Sequence, residues 1–197
     1  MRGMKRRDFI KITGSGALAC SVFGLVACKQ KQIEAPPQAP VLAEHTWLFF
    51  TDRNEKDVAR TAVLRILPAD PESGAPSADE LRVLEYIDGQ LAEPHFRDLH
   101  RMMHGGFNFI DRVSTKRFGG TFLSRPPEVQ DTILGQFQTG AIKGLKFPQE
   151  RFFETLRSFA LEGYWSHPKY GGNFDKQAWT WVSINPHCSH IHGSCTE

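Results

Sequence analysis

The sequence predicts an all-α protein, a compact bundle of about five helices closed by an irregular C-terminal segment rich in aromatics and glycine. Three observations predict it. Apolar residues in the body recur at three- and four-residue spacing; no stretch of useful length alternates with period two; and no strand–helix–strand rhythm appears. With 40% hydrophobic, 23% charged and 11% aromatic residues in 197, the composition suits one globular domain with an appendage.

From residue 46 the chain reads as helical. Asp52 and Glu55 form a capping pair, and Val58, Ala62 and Ile66, flanked by Ala59 and Val63, make the apolar face behind it. Pro68 ends that helix. Ser77 and Glu80 make a capping box for a second helix carrying Leu81, Leu84, Ile87 and Leu91. A third begins near Pro94 with Phe96, Leu99 and Met103. It meets Gly105-Gly106, which predict a kink or break, and resumes through Phe109, Ile110 and Val113. Gly119-Gly120 mark a turn. Ser124 before Pro126-Pro127 opens a fourth helix with Val129, Ile133, Leu134 and Phe137. After a Gly- and Pro-bearing connection over 139–148, Phe152, Phe153, Leu156, Phe159 and Ala160 give a fifth helix with a thick core-facing stripe.

Past Gly163 the character changes. Residues 164–174 are turn-rich and aromatic, and Trp179 and Trp181 follow. Two readings stand side by side: an exposed aromatic binding surface, or rings folded back over the helical core.

The N-terminal region is of another kind. Arg6-Arg7-Asp8-Phe9-Ile10-Lys11 resembles the twin-arginine translocation motif, with Lys5 where Ser or Thr often stands. The apolar run from Ile12 to Ala27 is diluted by glycine and serine and falls short of the ~20 residues of a membrane-crossing helix, so residues 1–27 read as a signal peptide. Leu25-Val26-Ala27-Cys28 looks like a lipobox in which Cys28 is acylated and becomes the new N-terminus. Ordinary signal-peptidase cleavage nearby, with Cys28 incidental, is the competing reading. Several acyl chains would anchor the protein stably. Residues 28–45, with Pro36, Pro37 and Pro40, read as a lipidated tether, of which Lys29 to Glu44 would reach about 50 Å at ~3.1 Å per residue.

Charge follows the same division. Residues 1–27 hold five basic residues and one acid, leaving 19 of the 24 basic and 21 of the 22 acidic residues to the remainder, a formal −2. That balance gives no reason to invoke nucleic acid.

No glycine-rich phosphate loop and no nucleophile elbow occurs in the sequence. His100 and His104, four apart, have the geometry of a two-ligand metal face, but no nearby third ligand completes it; they read as surface histidines. The tail, 187–197, places His187, His190 and His192 among Cys188 and Cys195. Three readings remain open. A Cys188–Cys195 disulfide would contribute on the order of 2–3 kcal/mol; one cysteine could bridge to a partner; or the cluster could hold zinc or copper.

The body, from about Trp47 to Pro186, resembles the small-subunit family named after gluconate 2-dehydrogenase subunit 3. The resemblance rests on Ile66-Leu67-Pro68-Ala69-Asp70, Phe118-Gly119, Gln130, Leu161-Glu162-Gly163, Pro168-Lys169-Tyr170-Gly171-Gly172-Asn173 and Trp179, in the family's order. It implies a non-catalytic subunit, domain 46–186, of a membrane-bound dehydrogenase of sugars, sugar acids or polyols. FAD would sit in a large subunit of the glucose–methanol–choline oxidoreductase type, and haem c in a cytochrome c subunit. The small subunit would carry the export signal for both itself and the flavoprotein, placing the complex on the periplasmic face of a membrane. The twin-arginine-like motif assigns Arg6, Arg7 and Phe9 to export and the apparent lipobox assigns Cys28 to anchoring, whereas the lipobox and the histidine-rich tail depart from what the resemblance implies. Tyr170, Gly171, Gly172, Asn173 and Trp179, with Cys188 or Cys195, are the candidates for partner contact. The rival expectations are a free-standing lipoprotein and a metal-binding electron carrier using the C-terminal histidines and cysteines.

Overall fold

The computed structural model describes residues 44–183, all within one compact unit. Among them are six α-helices and no strand: α1 (Arg53–Ile66), α2 (Val83–Ala92), α3 (Arg97–Phe118), α4 (Pro127–Gln138), α5 (Gln149–Trp165) and the short α6 (Gln177–Trp181). The first five are the helices that apolar spacing predicts. α5 is central, packing against α1, α2, α3 and α4. Its stripe of Phe152, Leu156 and Ala160 is wholly buried. Around it the aromatic rings meet edge to face: Phe107 with Phe152 at 5.3 Å, Phe137 with Phe152 at 5.9 Å, and Phe50 with Phe107 at 5.6 Å. Such pairs add about 0.5–1.5 kcal/mol each beyond the burial of their area.

Local chemistry departs from the sequence reading at several points. Helix does not begin at 46: residues 44–51 are an irregular strap, and α1 starts after Asp52, whose carboxylate accepts the Glu55 N–H at 2.8 Å. Glu55 does not complete the cap, because its own carboxylate turns to His104. The Ser77–Glu80 box does form, with Glu80 accepting from the Ser77 N–H at 2.6 Å and its own N–H donating to Ser77 Oγ at 3.2 Å. It caps only one turn, however. Arg82 stands in the left-handed region (φ 55°), with its N–H on the Asp79 carbonyl and the Val83 N–H on that of Ala78. This is the hydrogen-bond pattern that ends helices, made here without glycine. Leu81 therefore precedes α2 rather than lying in it, yet is fully buried.

Gly105-Gly106 neither kink nor break α3, which runs 22 residues through them. They are a packing device. A Cβ on Gly106 would lie 2.1 Å from the Phe152 ring, so this glycine lets α5 approach closely, while a Cβ on Gly105 would come 3.3 Å from the Phe147 ring of the connection before α5. Ser124 does not open α4. It ends a 3₁₀ turn, Phe122–Ser124, and bonds back to the Thr121 carbonyl, while Pro126 takes the N-cap position. The fifth helix also outruns Gly163, continuing to Trp165.

The strap is held by one side chain. Asp88 lies on the core-facing register of α2 and is 0% exposed. Its Oδ1 accepts the N–H groups of Phe49 and Phe50 at 3.0 and 2.9 Å, and its Oδ2 accepts the Leu48 N–H at 2.9 Å and meets His45 Nε2 at 3.1 Å. Hydrogen bonds to a charged acceptor contribute about 1.5–3 kcal/mol each, which offsets the cost of burying this carboxylate.

Candidate functional site

The C-terminal quarter of the described chain is built by close backbone approach. α5 crosses α2 at Gly163, where a Cβ would come 2.9 Å from the Tyr86 ring. The chain then turns back through Pro168–Tyr170 and lays Gly171 on the Tyr86 backbone, where a Cβ would sit 3.2 Å from Cα and N. Gly172 follows with φ +67°; its Cβ would fall 2.2 Å from the Gly163 carbonyl oxygen. No other residue fits there.

Asn173 locks the turn. Wholly buried and left-handed (φ 38°), it donates from Nδ2 to the Ser166 carbonyl at 2.9 Å and accepts the Ala178 N–H on Oδ1 at 3.0 Å, fixing the start of α6. Ser166 Oγ donates to the Gly171 carbonyl at 2.6 Å and also lies 3.1 Å from that of Gly163. Gly163, Gly171, Gly172 and Asn173 thus do internal work: they fold the coil.

What this scaffold displays is aromatic. Of seven large hydrophobic residues exposed among the described residues, five lie between 161 and 182: Leu161, Trp165, Tyr170, Trp181 and Val182. Trp165 and Trp181 stack at 6.2 Å with planes 23° apart, and Trp181 Nε1 is anchored on the Ser73 carbonyl at 2.8 Å. Trp179 Nε1 donates to the Trp165 carbonyl at 3.0 Å, and its ring meets His167 edge on. Tyr170 is 58% exposed, Trp165 39% and Trp181 37%. Both sequence readings therefore apply to different rings: Tyr164 folds into the core, and Trp165, Tyr170 and Trp181 face out.

Beside this face lies an open groove of about 520 Å³, bounded by Trp165 and Tyr170 with Tyr86, Gln90, Glu162 and His167. The Tyr86 hydroxyl donates to Glu162 Oε2 at 3.2 Å. Burial first, then the Glu162 charge and this bond, push its pKa up to about 12, so it remains a donor at any physiological pH.

Of the five residues named for partner contact, Tyr170 offers an exposed side chain, Trp179 a half-buried one, and Gly171, Gly172 and Asn173 position them. Trp165 and Trp181 were not among them, although Leu161 and Trp165, four apart on α5, could have been read as an outward stripe. His100 and His104 are part-buried rather than free on the surface. His100 Nε2 donates to the Leu91 carbonyl at 2.5 Å, His104 Nδ1 meets Glu55 Oε1 at 2.6 Å, and both rings pack on Phe49. No group of three or more possible metal-ligating side chains occurs among the described residues. Arg6, Arg7, Phe9 and Cys28 lie outside the described residues, as do His187, Cys188, His190, His192 and Cys195. No described helix is long and apolar enough to cross a membrane.

A family model described as gluconate 2-dehydrogenase subunit 3 matches residues 53–186, more than half of the chain. No curated protein and no solved structure matches. The matched span takes in all six helices and the whole aromatic face.

Proposed function

The chain belongs to the gluconate 2-dehydrogenase subunit 3 family, and from that premise we propose that it is the non-catalytic small subunit of a membrane-associated, FAD-dependent dehydrogenase of sugars, sugar acids or polyols. A glucose–methanol–choline-type large subunit carries FAD and the chemistry, and a cytochrome c subunit with haem c passes electrons on. The small subunit stabilises the flavoprotein, escorts it through twin-arginine export by way of Arg6 and Arg7, and attaches the assembly to the periplasmic side of a membrane through lipid at Cys28.

The observation that carries the reading is the concentration of exposed rings on a rigid, glycine-built platform at one end of α5. Interfaces between proteins are enriched in Trp and Tyr held in fixed orientations, because such rings bury a large apolar area at little entropic cost. Trp165 and Trp181 are held by stacking and by an indole hydrogen bond, ready to meet a surface. Export of a cofactor-loaded flavoprotein gives the twin-arginine route its reason, since that route carries folded cargo.

The test is purification of the tagged protein from detergent-solubilised membranes. The wild-type chain is expected to bring down a large subunit with a yellow flavin spectrum. With each ring worth about 2 kcal/mol at an interface, Trp165→Ala with Trp181→Ala should weaken retention about a thousandfold. Arg6→Lys with Arg7→Lys should leave the flavoprotein in the cytoplasm. A lone polypeptide without flavin, recovered from native membranes, overturns the proposal.

A further inference from the structure

A second exposed concavity borders the connection that leads into the N-terminal end of α5, whereas the aromatic face is built at its C-terminal end, and the 17 residues of that helix span about 25 Å. It is a groove of about 500 Å³ between the C-terminal half of α3 and the α4–α5 connection. Its rim carries Arg112, Lys116, Arg117 and Lys143, all exposed, and Ile142 and Leu145 supply apolar lining. One acid, Asp111, also borders it, but its Oδ1 accepts the Phe122 N–H at 2.8 Å.

None of the four cations enters any of the ion pairs among the described residues, in which Arg53, Arg60, Arg65, Arg82 and Arg157 all take part. Arg112 lies over the Phe109 ring at 5.1 Å, and Arg117 donates to the neutral Gln136 amide at 3.2 Å. Lys116 and Arg117, in the last turn of α3, complement its dipole. That explains two of the four. Arg112 lies before the last turn and Lys143 lies outside any helix.

We propose that this groove docks on an anionic lipid bilayer, its four cations taking phosphate-bearing headgroups. The inference rests on the reading of Cys28 as the lipid anchor, which keeps the body close to a bilayer. Residues 28–43 reach about 50 Å when extended. A body of this size has a radius of gyration of about 14 Å, so the tether's reach exceeds its width and leaves every face free to turn toward the lipid. Which face settles there is then decided by surface charge within a Debye length, about 8 Å at physiological salt. An uncompensated cationic groove meets that demand. Its distance from the aromatic face leaves the latter free for a partner.

The probe is the chain from residue 28 onward with Cys28→Ser, which contains every core residue from Phe49 to Ala178. It is sedimented with phosphatidylglycerol–phosphatidylcholine vesicles and with phosphatidylcholine vesicles alone. Binding is expected only to the anionic vesicles and should fall as salt is raised. Arg112→Gln, Lys116→Gln and Lys143→Gln together should lower it about a hundredfold. The matched set Arg53→Gln, Arg60→Gln and Arg157→Gln, on paired cations elsewhere, should change it only a few-fold. Equal binding to both vesicle types, equal loss in both variant sets, or abolition by dilute inorganic phosphate overturns the proposal. So does loss of the flavoprotein in the groove variant without loss of vesicle binding, which would assign the groove to an acidic protein surface. Mass spectrometry of the native chain decides the anchor separately: an unmodified Cys28 with intact vesicle binding sinks the anchor and leaves the groove standing.

Discussion

Two segments outside the α-helices cover α2, and they are held in opposite ways. The strap, 44–51, is gathered by a buried charge, and it buries its own rings: Phe49 is 5% exposed and Phe50 1%. The C-terminal coil, 166–176, is gathered by absent side chains and a neutral amide, and it props up rings that face outward. The first segment turns its two phenylalanines into the core and leaves only Leu48, 63% exposed, as a large apolar side chain outside. The second spends its backbone geometry on display. Turns that tolerate no side chain at Gly172 thus hold apolar rings at the surface, the kind of patch that proteins use for contact.

The sharpest way to break the contrast is Asp88→Ala. Three backbone N–H groups lose a charged acceptor, and a loss of about 4 kcal/mol is expected in denaturant unfolding. Hydrogen exchange should rise across 48–50 and stay unchanged across 166–178. Gly172→Ala comes next, at about 3 kcal/mol, because the added Cβ meets the Gly163 carbonyl at 2.2 Å in a left-handed backbone. Here exchange should rise in the coil and not in the strap. Gly106→Ala is expected to cost about 2 kcal/mol, since the Phe152 ring must move. It serves as a core control that loosens neither segment selectively.

The smallest effect is a pH dependence of opposite sign at two carboxylates. Burial raises the Glu55 pKa above its ordinary value, although the His104 hydrogen bond and charge work against this. Its contribution is therefore full below about pH 4.5 and is lost as pH rises through the folded value. Glu80 is the reverse. The Ser77 N–H and hydroxyl hold its pKa low, so its contribution is present above about pH 4.5 and is lost on acidification. Glu55→Gln and Glu80→Gln should remove slopes of opposite sign from the stability–pH profile between pH 3 and 6, roughly the range in which carboxylates titrate. A common shift in both variants would refute the assignment.

The five principal helices were legible from local signals: the Asp52 cap, the Pro126-Pro127 entry and, for every one of them, the apolar stripe. What escaped depended on distant partners. Gly105-Gly106 read as a break because glycine destabilises an isolated helix; the rings that explain them, Phe147 against Gly105 and Phe152 against Gly106, lie more than forty positions on. The strap escaped because its organiser, Asp88, lies 38 to 43 positions away. One signal was present: an acid four residues after Leu84 and three before Leu91 occupies the core register of α2, and a carboxylate there must find donors. The glycines of the coil were visible as landmarks, but their contacts with Tyr86 and with one another belong to tertiary structure.

The Asp88 clasp also determines how the molecule bears load. Any tension arriving from upstream of Glu44 enters the domain at a point where several bonds converge on a single carboxylate seated in the bundle's interior. They must yield together rather than one after another, as the rungs of a peeled strand do. A protein built this way can be tugged from its leading end while its helices, and whatever rides on them, stay undisturbed.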